Sequence, residues 1–164
     1  MSLAIELFGL ARMLASHPDG KPSQASLRRC ISTAYYAVFN LLLDDAMAVA
    51  APAEPSGLRG AVRRAFTHAD MIAACRSVRK DQPLRFMPTP VSADIIAVAR
   101  AFEDLQDARL LADYDVERTT DLGAAEEALL AAETAFVAWA AVRASPDAQV
   151  FLLAMLLGKR LARA

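Results

Sequence analysis

Cysteine, glycine and histidine are scarce in this chain of 164 residues, which has two, six and two of them. Cys30 and Cys75 sit in no Cys-x-x-Cys and beside no histidine cluster, so neither a disulfide framework nor a zinc site is implied. Both are expected to be buried free thiols, and the chain is expected in a reducing cytoplasm. No Walker-type or dinucleotide-type glycine pattern is present, so a nucleotide would not be held by a standard phosphate loop. Neither His17 nor His68 has a glutamate three residues earlier, which excludes the Glu-x-x-His pattern of carboxylate-bridged di-metal bundles. No metal and no cofactor is expected.

An excess of one charge is missing as well. Eighteen Lys plus Arg stand against nineteen Asp plus Glu, a net charge of -1, so no chain-wide attraction to nucleic acid or anionic membrane exists. Long hydrophobic runs are also lacking. The most apolar stretch, Val150 to Leu157, falls well short of the roughly 20 residues that a membrane span needs. The amino-terminal MSLAIELFGLARML carries Glu6 and has no basic lead-in, and it reads as a helix rather than a leader.

What is abundant is alanine, within a composition that is 55% hydrophobic and 23% charged, the profile of one soluble domain spanning residues 1–164. Strict apolar/polar alternation is absent, and the periodicity is that of an all-α chain. A first helix is expected over 3–16, ending at the turn cluster His17-Pro18-Asp19-Gly20. A second starts near Ser23, with Leu27, Ile31, Ala34, Val38 and Leu41 on one stripe. Pro52 and Pro55 break the pattern before a third helix over about 57–80, and three prolines between Asp81 and Pro90 predict an irregular, mobile connection. Ser92 and Asp121 are expected N-caps of a fourth and a fifth helix, over about 93–113 and 122–144. Ser145-Pro146-Asp147 opens a sixth helix over about 146–163.

Charge is unevenly distributed along these elements. Residues 56–90 hold seven basic groups (Arg59, Arg63, Arg64, Arg76, Arg79, Lys80, Arg85) against two acidic ones, whereas residues 91–144 hold four against eleven. The basic segment reads as a phosphate-facing surface or as a solvated helix face. In the fourth helix Ile95, Val98, Phe102, Leu105, Arg109 and Ala112 share a stripe, which puts a guanidinium among apolar side chains. Such a charge requires a partner, and Asp113 and Asp115 are at hand, as a structural ion pair or as a ligand site.

These residues also carry a resemblance. Arg29-Cys30-Ile31-Ser32-Thr33-Ala34-Tyr35-Tyr36-Ala37-Val38-Phe39 resembles the R-x-x-x-x-A-Y-Y-A-x-F helix of the HEPN superfamily (higher eukaryotes and prokaryotes nucleotide-binding domains). Arg109-Leu110-Leu111-Ala112-Asp113-Tyr114-Asp115 is similar to the R-x-x-A-D-Y-D helix end of a bacterial HEPN branch, and Glu126 to Val137 to its closing helix. The ordered pair covers a core of about 23–143. It implies an up-and-down bundle of four or five helices, here with the extra C-terminal helix. It also implies a binding module for RNA, a nucleotide or a nucleotidyltransferase-like protein, as in the two-gene toxin-antitoxin systems of relatives.

Many HEPN proteins are metal-independent ribonucleases that use an R-x(4 to 6)-H motif near the end of a late helix. Here that segment, Arg109 to Asp115, has no histidine, so the usual proton-transfer group for attack by the 2′-hydroxyl is missing. An R-x(4)-H spacing does occur at Arg63-Arg64-Ala65-Phe66-Thr67-His68, a pattern short enough to arise by chance. On one continuous helix Arg63 and His68 would diverge by about 140°, while Arg64 and His68 would share a face. The expectation is a non-catalytic binding module, with a ribonuclease using Arg63 or Arg64 with His68 as the alternative and a structural homodimer as a third. Tyr35 and Tyr36 are expected in interhelical packing rather than base stacking. The apolar run in the last helix covers every face, so a second copy of the chain is expected to bury part of it, with no membrane involved.

Overall fold

The computed structural model describes residues 1–16, 21–52, 56–79, 86–87 and 89–158. Among them are seven α-helices and no strand: α1 Leu3–Ala15, α2 Gln24–Ala50, α3 Ser56–Ala65, α4 His68–Val78, α5 Ala93–Tyr114, α6 Leu122–Val142 and α7 Pro146–Leu157. The all-α class follows from the composition, and no described helix is long and apolar enough to cross a membrane. The expected turn at His17 to Gly20, the basic residues Lys80, Arg85, Lys159, Arg160 and Arg163, and the last residues of the final helix lie outside the described residues. Of the proline-rich connection, Phe86, Met87, Thr89 and Pro90 are described and none is helical.

Helix starts follow side-chain chemistry that satisfies the unpaired amide groups of a first turn. Ser23 Oγ accepts from Ser26 N at 3.1 Å, Ser92 Oγ from Ile95 N at 3.2 Å, and Asp121 Oδ1 from Ala124 N at 2.8 Å. Ser145 caps α7 through Ala148 N, with Pro146 in the first turn, where its missing donor has no consequence.

One expected helix is two. The segment 57–80 breaks at Phe66 and Thr67, because Thr67 adopts an extended backbone and its hydroxyl accepts from Asp70 N at 3.1 Å. Thr67 Oγ1 also donates to Asp70 Oδ2 at 2.8 Å, so a cap starts α4 where the polar tract of α3 would otherwise continue.

The chain divides into two compact units, and α2, α5 and α6 contribute a segment to each. Unit 1 comprises residues 1–41 and 101–136. Its core holds Leu27, Ile31, Tyr35, Phe102, Leu105 and the alanine face of α6. Helix α1 is attached to α6 by the stacked rings of Phe8 and Phe136, 5.1 Å apart, and by an Arg12–Glu133 ion pair of 2.9 Å.

Unit 2 comprises residues 42–100 and 137–164. Here α4 packs along α7, and Met71, Ile95, Val98, Trp139, Phe151 and Met155 are fully buried. Gly158 ends α7 at φ +50°, a left-handed region that costs glycine little, and a Cβ there would lie 2.8 Å from Asp70 Cγ. The apolar run of α7 is mostly internal core of this unit. Phe151, Leu152, Ala154 and Met155 are buried, and only Leu153 and Leu157 reach 36% and 37% exposure. A second copy is therefore not needed to cover the run, because the chain's own helices enclose most of its circumference.

Candidate functional site

Arg109 is the centre of a compact cluster in unit 1. The stripe Ile95, Val98, Phe102 and Leu105 is fully buried, and it carries Arg109 to the last turns of α5 with 12% of its side chain exposed. Its Nε donates to Asp113 Oδ2 at 3.0 Å, one turn along the same helix. The other oxygen, Asp113 Oδ1, accepts from the Ser32 hydroxyl of α2.

Three aromatic rings surround the same guanidinium, whose carbon lies 5.6 Å from the ring centre of Tyr35, 5.5 Å from Tyr36 and 5.8 Å from Tyr114. A cation within about 6 Å of a ring face is attracted by the ring quadrupole, and more so when it is partly desolvated. Burial by itself would lower the pKa of Arg109, but Tyr36 and Asp113, and then Tyr114, outweigh it and move the value up. Arg109 is thus permanently charged, and its charge is held internally. Tyr35 is completely buried, edge-on to Tyr36 at 5.3 Å and tilted against Phe102 at 5.3 Å, which is the packing role expected for it.

The other expected residues do not join this cluster. Asp115 turns its carboxylate to Arg118 N, 3.2 Å away, and closes the turn after α5. Arg29 is exposed. Arg63 and Arg64 lie at the end of α3 and His68 opens α4, so they are not on one continuous helix, and the shared face that such a helix would give Arg64 and His68 does not apply. Arg63 pairs with Asp44 at 2.8 Å. His17 lies outside the described residues. No group of three or more His, Cys, Asp or Glu among the described residues could hold a metal ion.

Two positions that hold the turn after α5 were not evident in the sequence. Arg28, the neighbour of the motif arginine, donates to the carbonyls of Ala112 (2.8 Å), Asp115 (2.9 Å) and Arg118, which are unpaired acceptors at and beyond the C-terminal end of α5. Gln24 grips Thr120 from both sides, accepting from its N at 2.8 Å and donating to its carbonyl. An adjacent Arg-Arg pair signals a cation near this position, but only helix phase and a partner more than eighty residues away determine which of the two is used.

No family model, no curated protein and no solved structure matches the chain.

Proposed function

We propose that the chain is a non-enzymatic helical binding module of HEPN type whose partner is a protein. The class of partner that the resemblance implies is the nucleotidyltransferase-like component of a toxin-antitoxin pair. The observation that carries this reading is the contact between the two segments on which the resemblance rests. Tyr35 and Tyr36 of α2 cover Arg109, and Ser32 of α2 binds Asp113 of α5.

The same contacts count against catalysis and against a phosphate ligand. Arg109 is neutralised by Asp113 and capped by rings, and Asp113 and Asp115 add negative charge where a ribonuclease would bring a phosphodiester. His68 opens α4 and does not lie on the helix end that carries Arg109. A protein surface is therefore favoured over RNA or a nucleotide. The homodimer reading draws on a different feature of unit 1, the exposure of Leu3, Ile5, Leu10 and Met13 along α1, and light scattering of the full chain tests it.

Incubation of a single-stranded RNA with the full chain in excess chelator, for the parent and for His68→Ala, tests the main reading. No cleavage is expected from either. Metal-free cleavage by the parent that disappears in His68→Ala would replace the binding module with the ribonuclease reading.

A further inference from the structure

Unit 1 also contains a cavity of about 440 Å³ between the last turns of α5, the start of α6 and the turn that joins them. Its floor is apolar, formed by Ile31, Leu105, Ala108, Ala112 and Ala128. The small alanine side chains leave the space open, and the volume lies within the range of small-molecule sites rather than of protein grooves.

The polar wall is acidic. Asp104, Asp121 and Glu127 line it against a single cation, Arg118. Asp121 uses Oδ1 to cap α6, whereas Asp104 and Glu127 have neither a hydrogen bond nor an ion pair among the described residues. Their segment of the chain is the acidic one, with eleven acidic against four basic residues over 91–144.

The turn beside the wall is fixed. Arg28 holds the carbonyls of Ala112, Asp115 and Arg118, and Gln24 holds both backbone groups of Thr120, so an entering ligand has little loop to order.

We infer that this cavity is a binding site for a small organic cation, an ammonium or guanidinium group on a compact hydrocarbon body. The hydrocarbon lies on the alanine floor and the cation meets Asp104 and Glu127. Phosphates and carboxylates are repelled by the same wall. The site is separate from the Arg109 cluster and does not depend on the protein-partner reading.

The probe is 2-phenylethylammonium, titrated into the full-length chain at constant ionic strength and followed by amide NMR shifts, with 3-phenylpropionate as its charge-reversed counterpart. Saturable shifts at Ile31, Ala108, Thr119 and Ala128 are expected from the ammonium and none from the carboxylate. Asp104→Asn with Glu127→Gln, two exposed changes that leave the core intact, should weaken the ammonium about tenfold, the equivalent of 1.4 kcal/mol. Three outcomes overturn the inference: no saturable shifts at these residues, equal shifts from the carboxylate, or ammonium binding that is unchanged in the double variant.

Discussion

In unit 1 one guanidinium, Arg28, meets the carbonyl groups at the end of α5 and another, Arg109, lies in a cage of tyrosines, whereas in unit 2 the largest buried groups are Trp139, Phe151, Leu42 and Met71. In unit 1 directed polar contacts with defined partners gather at the end of α5, and in unit 2 the largest buried side chains fill the core. The polar contacts fix the turn over residues 115–121 and the cavity beside it, a precision that apolar packing alone does not provide. Unit 2 has polar contacts of its own, among them Arg63 with Asp44 and Arg59 with the Ala51 carbonyl just past α2, and one of them serves packing. Asp45 accepts from Trp139 Nε1 and from Arg143, each at 2.6 Å, and so satisfies the indole within the core.

If the contrast is correct, the largest single loss comes from unit 2. Trp139→Ala removes the biggest fully buried side chain and leaves Asp45 without its indole donor, for an expected cost of about 4 kcal/mol in urea unfolding. A loss below about 1 kcal/mol would mean that volume is not what holds unit 2.

The next effect depends on pH. Burial raises the pKa of the Cys30 thiol from 9.0 to about 11. Between those values the unfolded chain releases a proton that the folded chain retains, so stability falls as pH rises through this window and is fully present below pH 9. The loss attributable to Cys30 is about 2–3 kcal/mol by pH 11, and Cys30→Ala should flatten that part of the profile. Identical slopes for parent and variant would place the thiol in contact with solvent.

Arg28→Ala should cost about 1.5 kcal/mol, less than a buried ion, because water reaches most of the carbonyls it releases. The sharper readout is local: amide exchange over residues 115–121 should accelerate, and the same change at Arg29 should leave it unaltered. Thr67→Ala is the smallest change, about 1 kcal/mol from a lost cap, with fraying confined to the first turn of α4. Unaltered exchange in that turn would show that the hydroxyl does not set the break between α3 and α4.

Much of the helical framework was legible in the sequence because its signals are local. Stepping by three and four through α5 places Arg109 on the apolar stripe with Asp113 as its i, i+4 partner, and the caps at Ser92, Asp121 and Ser145 follow from residue type and position. The break at Thr67 was readable in principle, since Thr67-x-x-Asp70 is a capping pattern, but a polar tract that keeps helical periodicity conceals it. The choice of Arg28 over Arg29, the grip of Gln24 on Thr120 and the cavity floor depend on contacts between segments far apart in sequence, which periodicity cannot reveal. The run Val150 to Leu157 misleads for the same reason: its pattern shows that every face must be covered, not that α4 and Trp139 of the same chain cover most of them.

Arg109, the residue that most resembles a catalytic group, has the contacts of a structural cation. Thermal and urea unfolding of Arg109→Ala tests that role most directly. Stranding Asp113, whose side chain is 24% exposed, beside the tyrosines should cost about 3 kcal/mol, with the midpoint lowered and the denaturant slope unchanged. An Arg109→Ala chain that unfolds at the midpoint of the parent yet loses binding of a partner or of RNA would contradict the account, and would make Arg109 a ligand-contacting residue instead.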